Sequence, residues 1–397
     1  MNAVLQPSPV DVSDALLAQF RPGDSLFSSA RSQLHARGRS RSLHCSADDG
    51  LVAEAAALLA GVDDGAGSMP LIGAIPFSAS APAQLWMPLQ AVFASGQARH
   101  RGMSTEPPRP GGRLSPAAQM LPAAEHFKRN VADALRRIDA GELDKVVMSR
   151  SVRVAGAVDV GRLLGRLLTR GADGYTFAID LADDEDDRRL ALVGASPELL
   201  LSRRGGTVRS NPLAGSIARA ADPDEDRRRA AALLASAKDR HEHALVVAAV
   251  RSGLAPYCCT LDVPASPSLL ATPTMWHLST PIRGELSDPA VGSLQLALAL
   301  HPTPAVCGHP TASARALIGE LEGFDRGLFT GLVGWCDASG DGEWAVTIRC
   351  ALVDHAGATV YAGAGVVAGS QPDAELAETS AKLRTMLGAM GLAEALA

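Results

Sequence analysis

The polarity pattern of this chain changes period several times. Residues 145–154 (KVVMSRSVRV) alternate with a period of two, which predicts a strand with Lys145, Val147 and Ser149 on one face and Val146 and Met148 on the other. Residues 190–193 form a short apolar run suited to a buried strand, and Ala195-Ser196-Pro197 ends it, since proline cannot donate to a ladder. Residues 199–203 and 207–210 read as strands joined by Gly205-Gly206, a two-residue hairpin signal. Asn211-Pro212 stops the second strand, and 213–216 (LAGS) follow as a tight turn. Further strands are predicted at 24–38 running into a basic turn, at 70–77 as far as Pro76, at 85–93 and, by alternation, at 275–285. Residues 328–336, 343–353 and 359–367 predict an antiparallel meander. Ala345, Thr347 and Arg349 share a face of its second strand. Gly363 and Gly365 share a face of its third, which leaves room for a ligand to approach the backbone.

Helical spacing marks 51–59, 123–140, 222–252 and 372–387. The second of these carries Phe127, Val131, Leu135 and Ile138 on one side and stops at Gly141. The third opens with Asp222 as N-cap, Pro223 at the first helical position and Glu225 three after the cap. Helices do not alternate strictly with strands, so the pattern favours an α+β chain with large antiparallel sheets over a doubly wound fold.

Composition narrows the function. With 397 residues and 47% hydrophobic content, the chain can build a sizeable core. A net charge of −6 argues against nucleic acid as the main partner. No apolar run is long enough to span a bilayer, and residues 1–14 lack a basic region followed by an apolar core. The six cysteines show no CxxC or Cys/His metal spacing, so a reduced cytosolic chain is expected. Residues 1–20 read as frayed, and 183–189 (DDEDDRR) as a solvated turn. Residues 104–115 (STEPPRPGGRLS) read as a linker, either a domain boundary or a surface crossing.

Several residues are candidates for chemistry. Glu198 sits at the mouth of a strand near the backbone N–H groups of Gly215 and Ser216, which makes it an acid/base candidate or an ordinary surface carboxylate. In 238–243 (KDRHEH), His241, Glu242 and His243 cannot all bind one ion, because residues two apart on a helix point to different sides. On pattern alone a Lys238–Glu242 surface pair is the simpler account. His277 on its strand reads either as a core histidine or as a catalyst. Glu375, Glu378 and Lys382 fall at i, i+3 and i+7 of the last helix, as a solvated stripe or as half of an Mg²⁺ site.

Nine motifs then occur in a fixed order: KVVMSR, GASPELLL, SNPLAGSIAR, KDRHEH, MWHLSTPIRGEL, HPTPAVCG, GWCDASGDGEWAVTIR, YAGAGVVAGSQPDAELAET and AKLRTML. Together they resemble the chorismate-utilising enzymes, and among them the isochorismate synthases of the dihydroxybenzoate siderophore branch. The likeness is strong over 123–392 and weaker through 27–38 and 73–77. It implies one catalytic domain over 1–397, with two antiparallel sheets packed face to face, helices outside and the active site in the central cleft. Residues 104–115 then become a surface crossing.

The resemblance also implies roles. Lys145 matches the general base that activates a water. Glu198 matches the general acid that protonates the leaving C4 hydroxyl of chorismate. Glu242 and Glu378 match direct Mg²⁺ ligands, with Glu375 acting on the metal through water. Gly215 and Ser216 match the turn that receives the ring carboxylate, and His277 and Ala305 lie by the ring. Arg349 and the backbone at Gly363 match the grip on the pyruvyl carboxylate, with Lys382 beside the carboxylates. Ala214 stands where aminodeoxychorismate synthases carry a nucleophilic lysine, so no covalent amine intermediate is available. HPTPAVCG is similar to the isochorismate form of a motif that salicylate synthases write differently. Phe329 departs from the tyrosine of several relatives and leaves more of the pyruvyl contact to Arg349. A cytoplasmic monomer is expected, with no amidotransferase subunit. The competing readings are a salicylate synthase, a menaquinone-branch isochorismate synthase and a non-catalytic chorismate-binding protein.

The chemistry needs these residue types. A lysine is a poor base at its free pKa of about 10.4, and burial favours the neutral amine. Hydroxide is a poor leaving group, so Glu198 should start protonated, which an apolar pocket allows. Chorismate is a dianion entering an acidic protein, so attraction has to be local, from Mg²⁺, Arg349 and Lys382.

Overall fold

The computed structural model describes residues 4–5, 17–61, 69–95, 119–170, 174–181 and 190–392. The expected linker at 104–115, the acidic run at 183–189 and most of the expected frayed start lie outside the described residues.

Among the described residues the strands form an 18-stranded sheet and a separate 3-stranded one. The large sheet can be walked as one antiparallel ladder. It runs from Cys258–Asp262 through Ile282–Leu286, Thr207–Asn211, Leu199–Arg204, Gly342–Val346, Leu332–Cys336 and Leu71–Ile75 to Gln84–Ser95. It then crosses to Ser32–Leu43 and continues through Ser25–Ser28, Tyr175–Asp180, Leu190–Ser196, Cys350–Asp354 and Gly357–Val367 to Lys145–Ala155. The two halves face each other: Phe177 and Leu192 of one half share a core with Leu201, Val333 and Trp344 of the other. The expected pair of face-to-face sheets is therefore one continuous ladder folded through the long strands Ser32–Leu43 and Gln84–Ser95, the former carrying a register shift between Arg39 and Arg41.

Helices cover the outside. Val160–Arg170 and Pro372–Met390 close a second core through Leu163, Leu167, Leu383 and Met386 against Val193, Ala351 and Val360. Ala124–Asp139 and Thr311–Leu321 close a third through Phe127, Val131 and Leu317 against Val146 and Val366. The order of strands and helices is α+β, as the pattern predicts.

Five local expectations are corrected. The stretch predicted as one strand over 24–38 is a hairpin, because Ser29 caps a turn by accepting from Ser32 N and Arg31 N. The predicted helix over 222–252 is two, Pro223–Ala235 and Ala237–Leu254, because the Ser236 side chain accepts from Asp239 N and starts a new helix. Residues 213–216 are not a tight turn. They begin the strand Leu213–Ala218, which pairs with Met275–Ser279 across a bulge where Gly215 takes φ +76°. The alternating run at 275–285 is two strands, parted at Thr280-Pro281. The predicted meander is two hairpins, one in each half of the ladder, since the chain leaves Gly342–Val346 and crosses to Cys350–Asp354 at Arg349, which takes φ +50°.

Candidate active site

A narrow cleft opens where the ends of these strands meet the helices Ala237–Leu254 and Pro372–Met390. The hairpin strands and the bulge supply Glu198, Ala214, Gly215, Ser216 and His277. Glu242, Ala305, Arg349, Gly363, Glu378 and Lys382 complete the wall. Lys145 and Glu375, the other two residues singled out from the sequence, stand behind it. The structure thus gathers all of them in one place from segments scattered along the chain.

Three lysine–carboxylate pairs organise one wall. Lys145 Nζ, fully buried, lies 2.9 Å from Glu242 Oε1. Lys382 Nζ lies 2.5 Å from Glu378 Oε1 and donates to Gly363 O at 2.8 Å. Lys238 Nζ donates to Glu375 Oε1 at 3.1 Å. The expected Lys238–Glu242 pair does not form, because Glu242 turns inward to Lys145 and Lys238 reaches the last helix instead. Room for the first pair comes from the strand ladder, where Gly365 faces Val147 and Gly363 faces Ser149. A Cβ at Gly365 would stand 2.1 Å from Glu242 Oε1.

The environment separates the carboxylates. Burial raises the Glu198 carboxyl to about 7, against the pull of the Leu213 N–H, Lys145, Arg349 and Lys382. Burial, then repulsion from Glu378, raises Glu375 to about 7 as well. Glu378 is also pushed up by burial, but Lys382 and the Ser216 hydroxyl, which donates at 2.9 Å, outweigh this and hold it below the usual range. Near neutrality Glu378 is therefore an anion, while Glu198 can hold a proton.

The histidines divide as their spacing predicts. His241 is exposed, Glu242 turns to the cleft wall, and His243 is buried, its Nδ1 3.2 Å from Ala214 O and its Nε2 2.7 Å from Thr280 Oγ1. His243 holds the bulge and is not a ligand. His277 lines the cleft. Burial drives its pKa well below 6.5, and its buried Nε2 has no hydrogen-bond partner among the described residues.

The far wall is built under strain. Among the described residues, the non-glycine positions at positive φ are Thr330 at +61° and Arg349 at +50°, and both line the cleft. They are locked together by Thr330 N donating to Thr347 O and Thr347 N donating to Gly331 O, each at 2.8 Å. The Arg349 guanidinium is buried and has no ion pair among the described residues. Phe329 stacks on Tyr361 with centroids 5.0 Å apart, so the aromatic face is kept where a phenol is absent.

Sequence reasoning missed two supports. Glu322 accepts from Ser149 N at 2.6 Å and pairs with Arg326 at 2.5 Å, and Arg326 donates to Val306 O and Val147 O at 2.7 Å each. Their i, i+4 spacing was the available signal. Arg150, buried with no carboxylate partner among the described residues, donates to Thr379 Oγ1, Leu376 O and Ser380 Oγ on the turn that carries Glu375 and Glu378.

Among the described residues, no three Asp, Glu, His or Cys side chains are gathered closely enough to hold a metal unaided. Two carboxylates, Glu242 and Glu378, do face one cleft. That donor set fits a hard cation that keeps waters and takes other oxygens from its substrate, as Mg²⁺ does.

The family model of the chorismate binding enzymes matches residues 84–391. The chain belongs to this family. It is 58% identical to the isochorismate synthase DhbC of Bacillus subtilis over 275 residues, 68% of this chain and 69% of that protein. It is 45% identical to the vibriobactin-specific isochorismate synthase of Vibrio cholerae over 326 residues, 81% of this chain and 79% of that protein. Among solved structures, a Bacillus anthracis protein described as a 2,3-dihydroxybenzoate-specific isochorismate synthase superposes with a TM-score of 0.88. That match is at 43% identity and covers 96% of this chain and 100% of that one. The motif residues singled out from the sequence converge on this cleft.

Proposed function

We propose that this chain is an isochorismate synthase, converting chorismate to isochorismate by attack of water at C2 and loss of the C4 hydroxyl. The relatives' names, 2,3-dihydroxybenzoate and vibriobactin among them, support a place in siderophore biosynthesis. The observation that carries the mechanism is Glu198, a fully buried carboxyl raised to about 7 at the cleft wall. A carboxyl that holds its proton near neutrality can give it to a departing hydroxyl, which an ordinary surface glutamate cannot.

In this reading Lys145 takes the proton of the attacking water, on the opposite side of the ring from Glu198. Arg349 receives the pyruvyl carboxylate, helped by Lys382 near Gly363. The Gly215–Ser216 bulge receives the ring carboxylate, and the free Nε2 of His277 faces the ring. Mg²⁺, held by Glu242 and Glu378 with Glu375 behind them, would supply positive charge to that ring carboxylate. Ala214 offers no nucleophile at that position, in keeping with water as the attacking group. The substrate is the single small-molecule partner required, and the chain works without an amidotransferase.

The test follows the product. Pure protein incubated with chorismate and Mg²⁺ should give a reversible mixture of chorismate and isochorismate by NMR. Ala305 and Val306 offer no hydroxyl to steer pyruvate elimination, and Phe329 offers none either. Salicylate and pyruvate appearing as fast as chorismate disappears would overturn the assignment.

A further inference from the structure

A second cavity, of roughly 430 Å³, adjoins the cleft. Pro197 and Arg349 line both cavities, so Arg349 stands in the partition between them. The backbone of Arg349 is fixed there, its carbonyl accepting from Ala195 N at 3.0 Å. The outer walls come from the end of the helix Val160–Arg170, from Ser268–Ala271 with the residues that follow it, and from the helix Pro372–Met390. Leu167, Leu269 and Leu270 make part of that wall apolar.

Among the described residues, the charges lining this cavity are all of one sign. Arg170, Arg349 and Arg384 line it, and no Asp or Glu among the described residues does. None of the three has an ion pair among the described residues. That is unusual in a chain with 43 acidic against 37 basic residues, and nearby Arg162 does face Asp159, at 4.0 Å. Arg170 and Arg384 are exposed at the rim, and Arg349 is buried at the inner end. A cationic cavity with partly apolar walls focuses its field outward and raises the encounter rate of an anion.

We propose that this cavity is the antechamber through which the anionic substrate reaches the cleft. Arg170 and Arg384 draw a dicarboxylate in from solvent, and Arg349 takes one carboxylate at the partition. A guanidinium suits this hand-over because it binds a carboxylate by two parallel hydrogen bonds at any working pH. The inference rests on the chorismate reading of the cleft. It adds a path and two residues that touch the substrate only in transit. Rim charges of this kind act on association and on its salt dependence far more than on the bound complex.

The experiment measures association directly. Stopped-flow binding of chorismate, with Mg²⁺ present, is followed in a Glu198→Gln background at low and at physiological ionic strength. Neutral (R170Q/R384Q) and reversed (R170E/R384E) versions of the rim are compared with the parent. Association should slow by about 3-fold and about 10-fold respectively at low salt, within the range electrostatic steering spans. The fall of the association rate with salt seen in the parent should flatten or invert. The dissociation constant should move less than the rate, since release through the same rim changes with it. Both positions are exposed, and melting curves check the fold; if the reversed form unfolds, the neutral form carries the test. Association within two-fold of the parent, with the same salt dependence, would overturn the antechamber while leaving the functional reading intact. Absence of chorismate binding in the parent would instead remove the functional reading on which it rests.

Discussion

At the scale of single residues, Glu198 joins stability to catalysis. Its carboxyl titrates near 4.5 in the open chain and at about 7 when folded, because burial disfavours the anion. The folded chain thus holds a proton that the unfolded chain has released between these values. The stability this group contributes is whole below about 4.5 and is lost as pH rises through about 7. Glu198→Gln should therefore stabilise the protein at pH 8, by up to about 3 kcal/mol at 1.36 kcal/mol per pKa unit, with little effect near pH 4. Denaturant melts at the two pH values check this, and an equal effect at both would count against it. The same substitution should lower turnover by roughly 10²–10⁴-fold, the usual range for a general acid. Wild-type kcat should fall as pH rises through about 7, following the loss of the acid form. Gly365 makes a second case. Gly365→Ala puts a methyl group 2.1 Å from Glu242 Oε1, so the Lys145–Glu242 pair must part. Turnover should drop at least 10-fold and the melting temperature should fall with it, because parting a buried ion pair leaves charge uncompensated; steady-state kinetics beside calorimetry check both, and unchanged turnover would count against the pair's role.

At the scale of elements, the periodic segments were legible and the breaks within them were not. The strands around Lys145, Leu199 and Thr207 follow from alternation and a Gly-Gly turn, and the last helix follows from its spacing. Ser236 was hidden because the alanine-rich pattern runs on through it, although a serine three residues before Asp239 is itself a capping signal. Gly215 was read as a turn because its bulge exists only by pairing with a strand some sixty residues away, which no local pattern shows. Arg349 sits in a β-branched run that predicts extended backbone, and only the crossing between the two halves of the ladder turns it to positive φ. The gathering of the site was legible through family motifs, whereas its bracing was not. Arg150 is the clearest brace, a buried cation whose three hydrogen bonds fix the turn bearing Glu375 and Glu378. Arg150→Met should keep the fold yet weaken the apparent Mg²⁺ requirement constant about 10-fold. Arg150→Lys should recover only part of the loss, since one ammonium cannot span all three acceptors. Titrating activity against Mg²⁺ in both variants tests this, and equal constants in wild type and Arg150→Met would refute it.

At the scale of the whole molecule, the folded ladder makes one cleft from both of its halves, so occupancy of the cleft should be felt by the entire chain. Mg²⁺ and chorismate together should raise the melting temperature, by mass action on the native state. Excess EDTA should abolish turnover without unfolding the protein, and full activity in EDTA would end the metal assignment. The three lysine–carboxylate pairs sharpen this expectation. In the resting protein each glutamate proposed for the metal already has a lysine partner, so a cation arriving alone must part a lysine from its carboxylate in a poorly solvated wall. A dicarboxylate arriving alone has no counter-charge to spare for it beyond Arg349. Arriving together, the two bring no net charge, and the displaced lysines find new partners in the substrate. Metal and substrate should consequently tighten each other's binding by one and the same factor, since a coupling free energy is reciprocal. A protein arranged in this way keeps its catalytic charges quiet by setting them against one another, and it becomes an enzyme only when both guests are present to release them.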